Sequence, residues 1–189
     1  MGATPKPVSA LLIIDAQRGL LEGETAVPAA PQLIATIHQL LTTARSAGAL
    51  IVYLQQDGAP GAVDEPGTPG WYLHPALLPE PGEVVVRKSN DDGFEGTPLG
   101  EILATHGIHR VAVAGLLSEM CVSATIRTGL VRGLGMVLVH DAHGTYDLGD
   151  IAAATVSRVA EHALGDCLEL QDAAVVTFES VDRHRNPTM

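Results

Sequence analysis

Three side chains in this 189-residue sequence could act together on an electrophilic carbon: Asp15, Lys88 and Cys121. A cysteine attacks as its thiolate, so the thiol needs a base to take its proton. Asp15 could be that base and could later return the proton to a leaving amine, a role worth roughly 10²–10⁴ in rate. An ammonium at Lys88 would favour both anions. Lysine is scarce here: the only other is Lys6, in a Pro-flanked stretch, so Lys88 is the single lysine of the expected folded body. Each residue also has an ordinary explanation. A cysteine near a helix start is often a small buried apolar residue, a strand-terminal aspartate often caps a turn, and a lone lysine is usually a solvated charge.

What argues for more is where the chain's periodicity puts them. Residues 9–14 form a short apolar run ending at Asp15, the pattern of a buried parallel strand. Residues 31–47 carry Leu33, Ile37, Leu40, Leu41 and Ala44 at helical spacing, with Gly48 as the stop. Further strands are predicted over 50–54, 83–87, 110–114, 136–140 and 167–170, and helices over 97–105, 119–132 and 151–163. The expected fold is therefore α/β: a three-layer, open, mostly parallel six-stranded sheet with helices on both faces and right-handed crossovers. Such sheets bind ligands at the carboxyl ends of their strands, near a switch in strand order. Asp15, Lys88 and Cys121 follow the first, third and fourth strands. Cys121 falls in the first turn of the helix predicted from 119, where the helix dipole and Lys88 should bring its thiol below the usual value of about 8.5. Amides of the turn at 115–118 could hold an oxyanion, each worth about 3 kcal/mol. The stretch 55–81 is rich in Gly and Pro, yet Trp71, Tyr72 and Leu73 within it suggest a packed loop beside a site.

Composition narrows the classes. Hydrophobic residues make up 46% of the chain but aromatics only 3%, so small and branched aliphatics must fill the core of what we read as one domain over 8–180, with tails at 1–7 and 181–189. A net charge of −11 argues against nucleic acid or an anionic membrane surface as the main partner. The two cysteines, 121 and 167, have no CxxC or Cys/His cluster around them, so neither a disulfide framework nor a structural zinc site is expected. No apolar run reaches the roughly 18 residues of a membrane span, and the opening residues lack a signal-peptide core, which reads as cytoplasmic. There is no G-x-S-x-G elbow around Ser118, no Walker loop, and Gly133-Leu134-Gly135 precedes a strand instead of following one. His140 and His143 flank Asp141 without an evident third ligand.

From Ala10 to about Glu179 the sequence resembles the isochorismatase-like cysteine hydrolases. The matching pieces are Leu11-Leu12-Ile13-Ile14-Asp15-Ala16-Gln17, Val84-Val85-Val86-Arg87-Lys88 and Phe94-Glu95-Gly96-Thr97-Pro98-Leu99. The most specific is Val113-Ala114-Gly115-Leu116-Leu117-Ser118-Glu119-Met120-Cys121-Val122, continued by Thr125, Arg127 and Asp141-Ala142-His143. The resemblance implies Asp15, Lys88 and Cys121 as a catalytic triad, an oxyanion hole from the backbone N–H groups of Leu117 and Cys121, and a cis peptide between Leu116 and Leu117. It also implies a homo-oligomer, dimer or tetramer, that completes the pocket rim. Our candidates for lining that pocket are Gln55, Trp71, Tyr72, Phe94 and Glu119.

Departures from the family's patterns narrow the chemistry. Nicotinamidases of this superfamily carry an Asp-x-His metal motif after the second strand, where this chain has Gln55-Gln56-Asp57-Gly58; only His74 matches a fragment of that site. Members that hydrolyse the isochorismate vinyl ether generally lack the nucleophilic cysteine. The remaining expectation is an amidohydrolase without metal or other cofactor, cleaving a small-molecule amide or lactam through a thioester, with a streptothricin-type lactam as one candidate that suits the acidic chain. The rivals are vinyl-ether hydrolysis, with Asp15 as the acid, and a non-catalytic small-molecule-binding relative. If no metal takes part, amide turnover should survive EDTA treatment and dialysis; loss of turnover that zinc, iron or manganese restores would overturn that expectation.

Overall fold

A computed structural model describes residues 6–181, so most of both predicted tails lies outside the described residues. The six strands are β1 (Ala10–Ile14), β2 (Leu50–Gln56), β3 (Val84–Lys88), β4 (Arg110–Leu116), β5 (Gly135–Gly144) and β6 (Glu169–Gln171). They form one sheet in the order β3-β2-β1-β4-β5-β6, and every adjacent pair is parallel. The chain winds outward from β1 to β3, then returns to the other side of β1 with β4. The switch in strand order therefore falls at β1, the position where open sheets of this kind bind ligands beyond their strand ends.

The side-chain alternation of β1 divides the core in two. Leu11 and Ile13 join one buried cluster with Leu33, Ile37, Leu40, Leu41 and Ala44 of α2 (Ala30–Ala47). Ala10, Leu12 and Ile14 face the other cluster, with Leu99 and Leu103 of α3 (Leu99–Thr105) and Ile126 of α4 (Ser123–Val131). A central parallel strand covered on both faces has no polar side, which is why β1 is apolar throughout. Before α2 lies a short helix, α1 (Arg18–Leu21), that periodicity is too brief to reveal. The last helix, α5 (Ala153–Leu164), packs against α4, β5 and the turn before α4.

Three boundaries differ from the sequence expectation in ways that matter for the site. The strand β4 continues through Leu116 instead of turning at 115. Its partner β5 extends to Gly144, because β4 advances only from Val113 to Gly115 while β5 advances from Leu138 to His143. This irregularity places His143 beside Gly115, a pairing that no local pattern in β5 announces. Finally, α4 begins at Ser123, and Cys121 lies in a wider turn, Ser118–Val122, in which Met120 departs from helical geometry (φ −106°, ψ −105°).

Gly115 shows how tightly the crevice floor is built. Its φ is 129°, and a Cβ there would stand 2.0 Å from the carbonyl oxygen of Ile14 on the neighbouring strand. Gly115→Ala combines a disfavoured backbone conformation with a clash against rigid backbone. It should cost roughly 3 kcal/mol or more of folding stability. Urea unfolding of wild type and variant checks this; a loss under about 1 kcal/mol would mean that the two strands can separate there.

Candidate active site

Asp15, Lys88 and Cys121 converge at the carboxyl edge of the sheet. Asp15 follows the last residue of β1 in a left-handed conformation (φ 50°), unusual for a residue with a side chain and tolerated by aspartate better than by bulkier types. Its amide donates to the carbonyl of Leu54 on β2. Lys88 is the last residue of β3, and its Nζ donates to Asp15 Oδ2 at 2.9 Å. The lysine side chain has no solvent exposure and that of Asp15 only 3%. Lys88 Nζ also donates to Gln56 Oε1 at 2.6 Å and to the carbonyl of Asn90 at 3.3 Å, so all three ammonium protons are used.

Gln56 is the residue that sequence reasoning missed here. It ends β2, and its amide and carbonyl are both bonded to the side chain of Gln17, at 2.8 and 3.0 Å. Gln17 also donates to the carbonyl of Trp71 at 2.9 Å, and Gln55 does the same from the strand. Two buried amides thereby hold the 57–83 loop against the sheet edge. Further backbone bonds, from Arg18 to Tyr72 and from His74 to Ala16, complete its docking.

Cys121 is 7% exposed and lies near enough to Asp15 and Lys88 to interact with both. Its thiol donates to Asp91 Oδ1 at 3.6 Å, a contact that nothing in the motif pattern pointed to. The expectation of a depressed thiol pKa is not met. Burial pushes the Cys121 thiol well above its ordinary value, and the Asp15 carboxylate adds to this more than Lys88 offsets. The turn geometry removes part of the expected dipole effect, since Cys121 precedes α4 instead of opening a regular helix. Burial likewise pushes Asp15 up to about 6, against the pull of Lys88. For Lys88 burial is the largest influence and acts downward, but the Asp15 carboxylate and the Cys121 sulfur together outweigh it and hold the ammonium charged. Asp15 Oδ1 is buried with no hydrogen-bond partner, so one carboxylate oxygen is anchored by Lys88 and the other is free to take a proton.

The turn that carries Cys121 is fastened from behind. The peptide between Leu116 and Leu117 is cis, and the Leu117 carbonyl accepts from the amides of Met120 and Val122. Ser118 is buried; its Oγ bonds His143 Nδ1 at 2.8 Å and Ser157 Oγ at 2.9 Å, and its carbonyl accepts from Ser123 Oγ at 2.7 Å. His143 Nε2 meets Glu161 Oε1 at 2.8 Å, an oxygen also bonded by His140. With Glu161 ionised, Nε2 carries the proton and Nδ1 accepts from Ser118. In front of the turn, the loop after Lys88 is tied to α4: Thr125 Oγ1 accepts from the Gly93 amide, and Thr128 Oγ1 donates to Asp92 Oδ2.

The five expected pocket residues sit in different settings. Tyr72 is exposed and meets Trp71 edge-on, with ring centres 5.3 Å apart. Trp71 turns its Nε1 to Asp57 Oδ1 and lies 5.0 Å from the Arg87 guanidinium. Glu119, exposed in the turn that carries Cys121, accepts from Thr145 Oγ1 at 2.8 Å. Gln55 and Phe94 are buried, Gln55 anchoring the loop and Phe94 in the apolar core with Arg132 4.8 Å from its ring centre.

The residues in the place of the nicotinamidase metal motif do not fit a metal. Asp57 is paired with Arg87 at 2.7 Å, Gln56 holds Lys88, and His74 Nδ1 accepts from the Ala76 amide. Among the described residues no group of three or more His, Cys, Asp or Glu is arranged to hold a metal ion.

The profile described as the isochorismatase domain matches residues 9–172. The chain belongs to the isochorismatase family. It is 51% identical over 189 aligned residues to streptothricin hydrolase of Streptomyces noursei, covering 96% of this chain and 75% of that protein. It is 33% identical to a secreted isochorismatase effector of Verticillium dahliae, over 84% of each chain. The crystal structure of an isochorismatase from Pseudomonas putida KT2440 superposes with a TM-score of 0.86 at 31% identity, covering 93% of this chain and 94% of that one. This isochorismatase-family chain is a cysteine hydrolase acting on a carbon–nitrogen bond of a small molecule. No helix among its described residues is long and apolar enough to cross a membrane.

His143 has two buried hydrogen bonds to lose. His143→Ala should cost about 2–4 kcal/mol of stability by leaving Ser118 and Glu161 under-satisfied. Thermal melts against denaturant titrations check this, and a change under about 0.5 kcal/mol would show that water replaces the ring without penalty.

Proposed function

We propose that the protein is a metal-independent amidohydrolase in which Asp15, Lys88 and Cys121 carry the chemistry. The observation that carries the reading is the buried Lys88–Asp15 pair beside a buried thiol, with one Asp15 oxygen left unpartnered. Because the thiol is neutral at rest, attack and deprotonation must be coupled. Asp15 Oδ1 takes the thiol proton as Sγ bonds to the amide carbonyl carbon. The oxyanion rests on the amides of Leu117 and Cys121. Collapse breaks the C–N bond, the amine leaves with the proton from Asp15, and a thioester remains. Water then attacks the thioester while Asp15 takes its proton, and expulsion of Sγ, reprotonated from Asp15, releases the acid. Lys88 keeps Asp15 oriented and its carboxylate within reach of neutral pH.

The similarity to streptothricin hydrolase supports a lactam as substrate. We assign Trp71, Tyr72 and Glu119 to the rim, in keeping with the docking of the 57–83 loop against the sheet edge. Met120, 43% exposed in the nucleophile turn, and Val159, 61% exposed on α5 that packs against it, support a homo-oligomer, dimer or tetramer, closing over that rim. A free, exposed Cys167 suits the reducing cytoplasm.

A panel of amides and lactams including the streptothricin lactam, read by amine release, tests the activity. Cys121→Ser should abolish it, and full turnover by that variant would exclude the thioester route. Asp15→Asn, if folded, should lose roughly three orders of magnitude in kcat. The active form has Asp15 ionised, so kcat/KM should rise tenfold per pH unit below about 6 and level off above it. Lys88→Met removes the charge that lowers Asp15, and the rise should move to higher pH; an unchanged profile would detach Lys88 from the base.

A further inference from the structure

The mechanism leaves one group at the nucleophile unused. Asp91 is exposed, and its Oδ1 accepts from the Cys121 thiol at 3.6 Å. It is not held as its neighbour is: Asp92 receives the Phe94 amide and the Thr128 hydroxyl, while among the described residues no cationic side chain pairs with Asp91. The nearest ammonium, Lys88, is committed to Asp15, Gln56 and the Asn90 carbonyl, and Arg87 is committed to Asp57.

Consider what happens when the thiol gives up its proton. Asp91 then loses that hydrogen bond and faces a developing thiolate at van der Waals distance. The ammonium near the sulfur, Lys88, is already bonded to Asp15, Gln56 and the Asn90 carbonyl and offsets only part of the opposing charge. Two anions at that separation repel, and the repulsion favours the inactive, protonated thiol. A substrate that brings its own cation to Asp91 removes this penalty. A neutral substrate does not.

We propose that Asp91 is a specificity-determining residue that selects amides or lactams bearing a protonated amine or guanidinium close to the scissile carbonyl, and that this substrate cation relieves the charge opposing deprotonation of Cys121. The proposal rests on Cys121 as the nucleophile. Since attack brings the carbonyl carbon to about 3–3.5 Å from Sγ, a cation hydrogen-bonded to Asp91 belongs to the same end of the substrate as the bond being cut. Asp91 thus binds and discriminates, while Asp15 moves the proton.

The test uses charged thiol reagents and needs no turnover. In a Cys167→Ser background Cys121 is the only thiol, and its modification is followed at low ionic strength with two methanethiosulfonates: one carrying a trimethylammonium ethyl group and one a sulfonatoethyl group. The cation-to-anion rate ratio is compared among Asp91, Asp91→Asn and Asp91→Ser. A change in thiol ionisation alters both rates together and cancels in the ratio. Both variants should lower the ratio about tenfold, as expected for a unit charge a few ångströms from the reacting sulfur in a partly solvated site, and Asp92→Asn should leave it unchanged. A ratio in both Asp91 variants within roughly twofold of the parent, or an equal fall in Asp92→Asn, overturns the proposal. Turnover by Cys121→Ser in the amide panel would instead remove the nucleophile reading, a separate result.

Discussion

The Lys88 ammonium and the Asp15 carboxylate lie 2.9 Å apart with almost no exposure to solvent, and the rest of the site is arranged around that pair. Taking two charges out of water costs several kcal/mol each, which their mutual attraction repays only when the remaining hydrogen-bonding capacity is filled. Lys88 is filled: Asp15, Gln56 and the Asn90 carbonyl take its three protons. Asp15 is filled on one side only. Burial raises the cost of keeping the carboxylate ionised, against the pull of Lys88, which is the reason its proton affinity sits near 6 and not in the usual carboxylate range. The carboxylate's raised proton affinity therefore comes from its burial, with the lysine holding it in place.

Holding such a pair requires rigid surroundings, and the sheet provides them through strand order. Because β4 returns beside β1 after β2 and β3 have been laid down on the other side, the ends of β1, β3 and β4 border one crevice. The Gln17–Gln56 exchange stitches the docked loop to the lysine's own ligand, so the loop and the charged pair are one hydrogen-bonded unit. On the other flank, Ser118, His143 and Glu161 secure the turn that carries Cys121 through polar contacts reaching to α5.

The two halves behave differently toward the thiol. The charged pair is neutral overall, so it offers Cys121 proton transfer without much bias toward thiolate. Burial, with the Asp15 carboxylate adding to it, favours the protonated sulfur. A thiol that is neutral at rest also resists adventitious oxidation and alkylation, since the thiolate is the reactive form.

Much of this was legible along the chain. Apolar runs ending in Asp15 and Lys88, and helical spacing around Leu33 to Ala44, follow from local periodicity, which one face of a strand or helix imposes on its own residues. So the sequence by itself determined the alternating α/β order, the strand-end position of the acid and the lysine, and the motif around Cys121. Contacts between residues far apart in the chain could not be read that way. Gln56 looked like an ordinary strand end, Asp91 like a loop carboxylate, and His143 like an isolated histidine. Only the tertiary structure decided that Gln56 completes the hydrogen bonding of the lysine, that the irregular β4–β5 register brings His143 under the turn that carries Cys121, and that Asp91 touches the sulfur. It also decided the charge state of the thiol. A helix-start cysteine beside a lysine reads as a thiolate when only neighbours in sequence are counted, whereas desolvation depends on everything that buries the sulfur, and that is a property of the folded chain alone.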